Sequence, residues 1–336
     1  MGQPEGSKDI VNGLKLSEIQ KEAVEYINGP LLIIAGPGSG KTKTLVERTI
    51  NLIRQGITPE QIFISTFTEK ASKELITRIS LYLHQQGLNT NLHEMYIGTL
   101  HSLFLRILEE YKEYSRIKRN YRVLDDFEQT YFVYLNINKY LKLPNVNSLF
   151  QNNSNSWQKA NILVKYINKI SEECLEPNNL ISAKEPEIQA LGYLVSEYST
   201  MLNEENCLDF AGIQTELLYL LNNQPEILLL LQEKLKYFMI DEYQDTNTIQ
   251  EKILLLLSAK HNNLCVVGDD DQGLYRFRGA TVRNILEFPN NYKKGSCKQI
   301  YLITNYRSHP EIINFCKSWI DSINWEYGDI RYRFPK

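Results

Sequence analysis

The stretch that most constrains this chain is Ala35-Gly36-Pro37-Gly38-Ser39-Gly40-Lys41-Thr42, with Lys43 next. An uninterrupted apolar run, Leu31 to Ala35, leads into it, and Thr44 to Ile53 follows with helix-compatible spacing. Strand, glycine-rich turn and helix are the context a phosphate-binding loop needs. The glycines let successive backbone N–H groups point inward at phosphate oxygens, Lys41 adds a point charge, and Thr42 offers a hydroxyl to Mg²⁺. The helix that follows presents the positive end of its dipole to the same anion. The usual pattern opens with Gly, and Ala35 stands there instead. Nucleotide binding is the first expectation.

The chain has 336 residues, enough for two domains, and its 43% hydrophobic content supports full cores. A net charge of −3 gives no bulk argument for nucleic acid or membrane, so any DNA contact must come from a local groove. Cys174, Cys207, Cys265, Cys297 and Cys316 are odd in number and widely spaced, which fits reduced thiols better than disulfides or a metal cluster. Met1 to Gly13 is polar, and the longest apolar runs, such as Leu228 to Leu231, are too short to span a bilayer. A soluble cytoplasmic protein with no membrane partner is expected.

Ser17 is placed to cap a helix carrying Ile19, Ala23 and Val24 on its apolar stripe. Gln20 faces away from that stripe. It reads either as an exposed glutamine or as an amide matching the adenine edge with one donor and one acceptor. Two further short β-rich runs, Ile62–Phe67 and Tyr96–Thr99, each end in a polar turn that opens a helix. That alternation is the mark of a parallel sheet, with ligands beyond the carboxyl ends of its strands. Phe67, Thr68 and His101 fall at that rim. From about Tyr111 to Glu205 the rhythm stops and a mostly helical insertion is expected. Its basic cluster, Arg116, Lys118, Arg119 and Arg122, reads chiefly as a solvated face, with a phosphate-tracking edge as the alternative.

The alternating pattern resumes at Tyr237–Ile240, followed by Asp241-Glu242-Tyr243-Gln244-Asp245-Thr246. Two carboxylates directly after a buried strand suit a division of labour: Asp241 holds Mg²⁺ through its water shell and Glu242 orients or deprotonates the attacking water. Leu264–Val267 is another buried strand. It ends in Gly268-Asp269-Asp270-Asp271-Gln272, and Tyr275, Phe277 and Arg278 follow. Gln272 reads as a γ-phosphate sensor, and the two rings as either core packing or base-stacking groups. A last strand, Gln299–Ile303, precedes Asn305-Tyr306-Arg307-Ser308. There Arg307 suits charge on a transferring phosphoryl group and Tyr306 suits stacking on adenine.

Taken together, AGPGSGKT (Ala35–Thr42), TFTEKAS (Thr66–Ser72), GTLHS (Gly98–Ser102), DEYQDT (Asp241–Thr246), GDDDQGLYRFRGA (Gly268–Ala280) and NYRS (Asn305–Ser308) resemble the motifs of superfamily 1 DNA helicases of the UvrD/Rep/PcrA type, in that family's order. The resemblance implies an α/β fold: a P-loop NTPase of RecA-like type whose parallel sheet carries the helical insertion, plus the beginning of a second RecA-like domain. The implied division is residues 1–110 and 206–297 for the first motor domain, 111–205 for the insertion, and 298–336 for the start of the second. The resemblance further implies ATP with Mg²⁺ as cofactor. Gln20 and Tyr306 would lie on adenine, Lys41 on the β/γ-phosphates, Thr42 and Asp241 on the metal, and Gln272 and Arg307 at the γ-phosphate, with Glu242 as base. Phe67, Thr68, His101, Tyr275, Phe277 and Arg278 would contact single-stranded DNA. Lys43 stands where the family usually has Arg, Gly273 where Ser is common, and Arg276 where Gly is common.

The function expected is that of the ATP-binding portion of a 3′-to-5′ DNA helicase acting at duplex junctions in repair or replication. As the sequence reaches Lys336 soon after the fourth motif, slow hydrolysis is expected of this chain by itself. A separate chain supplying the second motor domain is one expected partner. The alternative is a nucleotide-gated, single-stranded-DNA-binding or regulatory module.

Overall fold

In a computed structural model the structure describes residues 15–336, apart from 89, 151–153, 274–280, 325, 328–329, 332 and 335–336. The apolar runs become strands β1 (Leu31–Ala35), β2 (Ile62–Ser65) and β3 (Tyr96–Gly98). A short pair follows, β4 (Arg122–Val123) and β5 (Cys207–Leu208), and then β6 (Tyr237–Ile240), β7 (Leu264–Gly268) and β8 (Lys298–Leu302). Six of them form one sheet in the order β3-β2-β6-β7-β1-β8, with every pairing parallel. Strands buried on both faces need no polar alternation, so they read as continuous apolar runs. Each residue still chooses a face. Leu31, Ile33 and Ala35 pack with one cluster while Leu32 and Ile34 pack with the other, and the split recurs in β2, β6 and β7.

The helices cover both faces. α1 (Glu18–Glu25), α2 (Lys41–Arg54) and α3 (Glu69–Gln85) pack on the Ile33 side through Ala23, Leu45, Ile50, Leu75 and Ile79. α4 (Leu100–Glu110) and the helices Phe210–Asn223, Pro225–Lys234 and Thr248–Ser258 cover the Ile34 side. Helices Asp126–Leu135, Ser156–Glu172 and Pro186–Glu204 build a third, separate cluster running from Leu124 to Cys207. β4 and β5 pair at the neck where this helical segment leaves and rejoins the sheet domain.

One boundary moves. Residue 298 was the expected start of a second domain, yet β8 begins there and pairs with β1 from Leu31↔Lys298 to Ala35↔Leu302 as the edge of the first sheet. A strand that ends three residues before a turn motif carries no sequence sign of which sheet it joins. After it, helix Pro310–Asp321 has none of its residues buried, and Ile312, Phe315 and Trp319 stand in solvent.

The insertion's basic cluster is largely spent within the chain. Arg116 makes a two-pronged contact with Glu216 and lies over the Tyr219 ring, Lys118 donates to the Asn203 carbonyl, and Arg119 pairs with Glu113. Of the two sequence readings, the solvated face is the one these contacts favour over the phosphate-tracking edge.

Position 48 ties the loop's helix to α1. Arg48 is almost wholly buried and donates to the carbonyls of Ala23 (2.7 Å) and Tyr26, while Asn51 donates to the Val24 carbonyl (2.9 Å). These are the orphan acceptors at the C-terminus of α1, satisfied by side chains of α2 instead of water. Hydrogen bonds from a charged donor contribute roughly 1.5–3 kcal/mol. Arg48→Leu should therefore lower unfolding stability by about 2 kcal/mol, read as a shift of the urea midpoint without a change in slope.

Candidate functional site

Parallel pairing brings every strand's carboxyl end to one rim, and the chain's polar turns collect there. After β1 the loop bends through Gly38 (φ 75°) and Gly40 (φ 88°), both in the left-handed region that a side chain disfavours. Ser39 holds the bend by donating from Oγ to the Gly36 carbonyl at 2.7 Å. Gly40 caps α2, which opens at Lys41, so the loop's N–H groups and the helix dipole converge on one point.

Lys41 reaches across β7 to the turn after β6, and its Nζ lies 2.9 Å from Glu242 Oε2. Extended backbone would send Asp241 and Glu242 to opposite sides. Glu242 instead adopts φ 51°, ψ 46°, and its N–H bonds Asp241 Oδ1 at 3.0 Å. This left-handed residue lets both acids face the same cavity. Asp241 is half-buried. Burial and the neighbouring Glu242 push its carboxyl up to about 7, against the opposing pull of Lys41. Burial and Glu242 likewise raise Asp245, to about 6.

The turn after β7 adds Gln272, whose Nε2 donates to Asp269 Oδ2 at 2.7 Å. Asp269 Oδ2 itself stands 3.9 Å from where a Cβ on Gly36 would sit. The turn after β8 is fastened to the loop: Asn305 Nδ2 donates to the Pro37 carbonyl (2.7 Å) and Tyr306 N–H to the Gly38 carbonyl (2.9 Å). A side chain at Gly38 would meet Arg307 Cβ and Asn305 Oδ1 at 2.7 Å, so glycine is required for this closure. Nothing local in the sequence marks Asn305 as a fastener beyond its place in a turn two residues before Arg307. Arg307 and Tyr306 are exposed beside the loop, and Tyr306 edges a small crevice with Gln20 and Ser39.

Gln20 departs from the exposed reading. It is 4% exposed, donates from Nε2 to the Ser39 carbonyl at 3.1 Å, and accepts the Ser17 N–H at 3.0 Å within a capping box. The cause is long-range. α1 packs along α2, which turns the polar side of α1 onto the loop.

Phe67, Thr68 and His101 occupy the other half of the rim, on the turns after β2 and β3. Thr68 caps α3, accepting the Ala71 N–H at 3.1 Å. His101 sits edge-on to Phe210 with Nε2 2.9 Å from Gln214 Nε2, and burial lowers its pKa, which favours the neutral ring. Phe67, His101, Asp241, Glu242 and Asp245 line a common cavity of about 190 Å³, which Glu172 from the insertion also lines. Tyr275, Phe277 and Arg278 lie outside the described residues.

An anion cradle on β1, an acidic pair on β6 and polar turns on β7 and β8 together define a nucleotide-binding α/β domain of the phosphate-loop class. The family model for the UvrD/Rep helicase N-terminal domain matches residues 16–293. Similar curated proteins include the ATP-dependent DNA helicases PcrA of Staphylococcus aureus strain Mu50 and of Staphylococcus epidermidis strain RP62A. They are 33% and 34% identical over 297 residues, which is 88% of this chain and 38% of each relative. The chain belongs to the UvrD/Rep helicase family, and it spans about 38% of the length of the relatives it matches.

The raised Asp241 carboxyl sets a pH dependence. Unfolded, an aspartate titrates near 4, so between about pH 4 and about 7 the folded state binds the extra proton. Stability from this group is therefore present below that window and is lost as pH rises through it. Asp241→Asn should melt at least about 2 °C above the parent at pH 8. The difference should shrink towards pH 4.5, read by thermal scans at matched ionic strength.

Proposed function

We propose that this chain is the ATP-binding part of a motor that hydrolyses ATP to translocate on single-stranded DNA in the 3′-to-5′ direction. One observation carries the reading: Glu242 is bonded to Lys41 on its loop side and lines a cavity with Phe67 and His101 on the other. A single carboxylate thus borders both the phosphate cradle and the part of the rim assigned to DNA. The names of the similar staphylococcal proteins, ATP-dependent DNA helicases, agree with it.

In this reading the loop N–H groups and Lys41 hold the β/γ-phosphates, and Gln20 and Tyr306 border the adenine. Gln272 and Arg307 address the terminal phosphate. Lys41 then exchanges Glu242 for phosphate oxygens, and the released carboxylate orients the attacking water and takes its proton. The donor set fits Mg²⁺. Asp241 is a half-buried acid beside Lys41, Thr42 stands one residue into α2, and no cage of three or more His, Cys, Asp or Glu occurs among the described residues. Such sparse protein ligation is usual when phosphates and waters complete the shell. Asp241 and Thr42 would hold the ion, which when bound neutralises charge between the phosphates. Phe67, Thr68, His101, Tyr275, Phe277 and Arg278 are the proposed DNA contacts, at junctions between single and double strands. A second motor domain, in this polypeptide or another, would face Arg307. No described helix is long and apolar enough to cross a membrane.

Binding of a fluorescent ATP analogue and ATP turnover with and without oligo-dT test this. Lys41→Ala should weaken binding at least about tenfold, and Glu242→Gln should keep binding while slowing hydrolysis about 100-fold. Equal turnover by the parent and Glu242→Gln would refute the enzymatic reading, and binding without turnover would leave a nucleotide-gated module.

A further inference from the structure

Gln244 is buried in the turn after β6, with 1% of its surface exposed, and its amide is used at both ends. The Oε1 accepts the backbone N–H of Asp269 at 3.1 Å, and Nε2 donates to Glu242 Oε2 at 2.8 Å. A backbone N–H can only donate, so it fixes the oxygen of the amide towards Asp269, and the NH₂ group must face the carboxylate. The oxygen it holds is the same one that Lys41 engages at 2.9 Å. Glu242 is thereby held between a cation and a neutral donor.

The space for this amide comes from Gly268, the last residue of β7. A Cβ there would collide with Gln244 Oε1 and would also stand 2.7 Å from Ile285 Cδ1. Glycine at 268 has no positive φ to accommodate, so the reason for it is room. The residue that follows, Asp269, receives Gln272 Nε2 on its carboxylate at 2.7 Å. One continuous run of hydrogen bonds therefore joins Glu242, Gln244, Asp269 and Gln272.

We propose that Gln244 is a positioning residue for hydrolysis: its amide holds Glu242 in register with the turn that bears Gln272, so that the base and the γ-phosphate sensor move as one unit. This rests on the functional reading above. When a terminal phosphate takes Lys41 away from Glu242, the Gln244 donor is the contact that remains to keep the carboxylate aimed. Lost aim costs rate and not affinity, because Gln244 has no place on the nucleotide itself.

The test is single-turnover hydrolysis with the full chain in excess over Mg-ATP, beside equilibrium binding of a fluorescent ATP analogue. Gln244→Leu keeps the volume and removes both hydrogen bonds. Gln244→Glu keeps the length but sets a like charge against Glu242. Both should slow hydrolysis at least about tenfold while the dissociation constant changes by less than about threefold. Gly268→Ala, which displaces the amide without touching position 244, should slow hydrolysis in the same direction. The combination Glu242→Gln with Gln244→Leu should be no slower than Glu242→Gln alone, since an aim is worthless without the base. The proposal is overturned if Gln244→Leu hydrolyses at the parent rate, if the double variant is slower than Glu242→Gln, or if the rate loss is matched by lost binding. If Glu242→Gln itself runs at the parent rate, the functional reading fails and this proposal falls with it.

Discussion

The contact between Lys41 and Glu242 is the constraint on which the site depends. It joins the glycine-rich loop after β1 to the acidic turn after β6, spanning the strand that lies between them. Both side chains are well covered, with 11% and 28% of their surface exposed. In such surroundings the attraction is offset by the cost of taking two charges from water, so the pair adds little net stability. Its value is positional. Losing Lys41 would strand the charge of Glu242 beside Asp241 and Asp245, whose carboxyls Lys41 also offsets.

That contact is possible because of the order of the sheet. With β7 between β1 and β6, the loop, the acid pair and the Gln272 turn fall side by side along one rim. Adding β8 on the far side of β1 brings Asn305 and Tyr306 onto the loop's own carbonyls. The opposite half of the sheet, β2 and β3, carries Phe67, Thr68 and His101. Glu242 sits where the halves meet. Arg48 adds a tie behind the loop, anchoring α1 and with it Gln20.

Much of this was legible from local pattern. Continuous apolar runs ending in polar turns gave the strands, their parallel sense and the common rim, because a buried strand's composition and its following turn are both local properties. The glycine-rich turn between β1 and its helix was readable for the same reason. What escaped was set by contacts between distant segments. The burial of Gln20 follows from α1 packing on α2, the membership of β8 in the first sheet follows from its pairing with β1, and the uses of Gln244 and Asn305 appear only when neighbouring strands bring Asp269 and Pro37 to them. The arginine cluster of the insertion is similar. Composition offered two readings, and only the positions of Glu216, Tyr219 and Glu113 separate them.

The left-handed backbone of Glu242 has a consequence for how such a domain drifts over generations. A non-glycine residue in that region costs of order 1 kcal/mol, and branched side chains suffer most. A lineage released from the need for the chemistry would therefore not accept any residue there equally. Glycine, asparagine and aspartate would enter and relieve the turn, while valine, isoleucine and threonine would be purged for their shape alone. The spectrum of replacements at this one position would distinguish a domain still turning over nucleotide from one kept only as a scaffold.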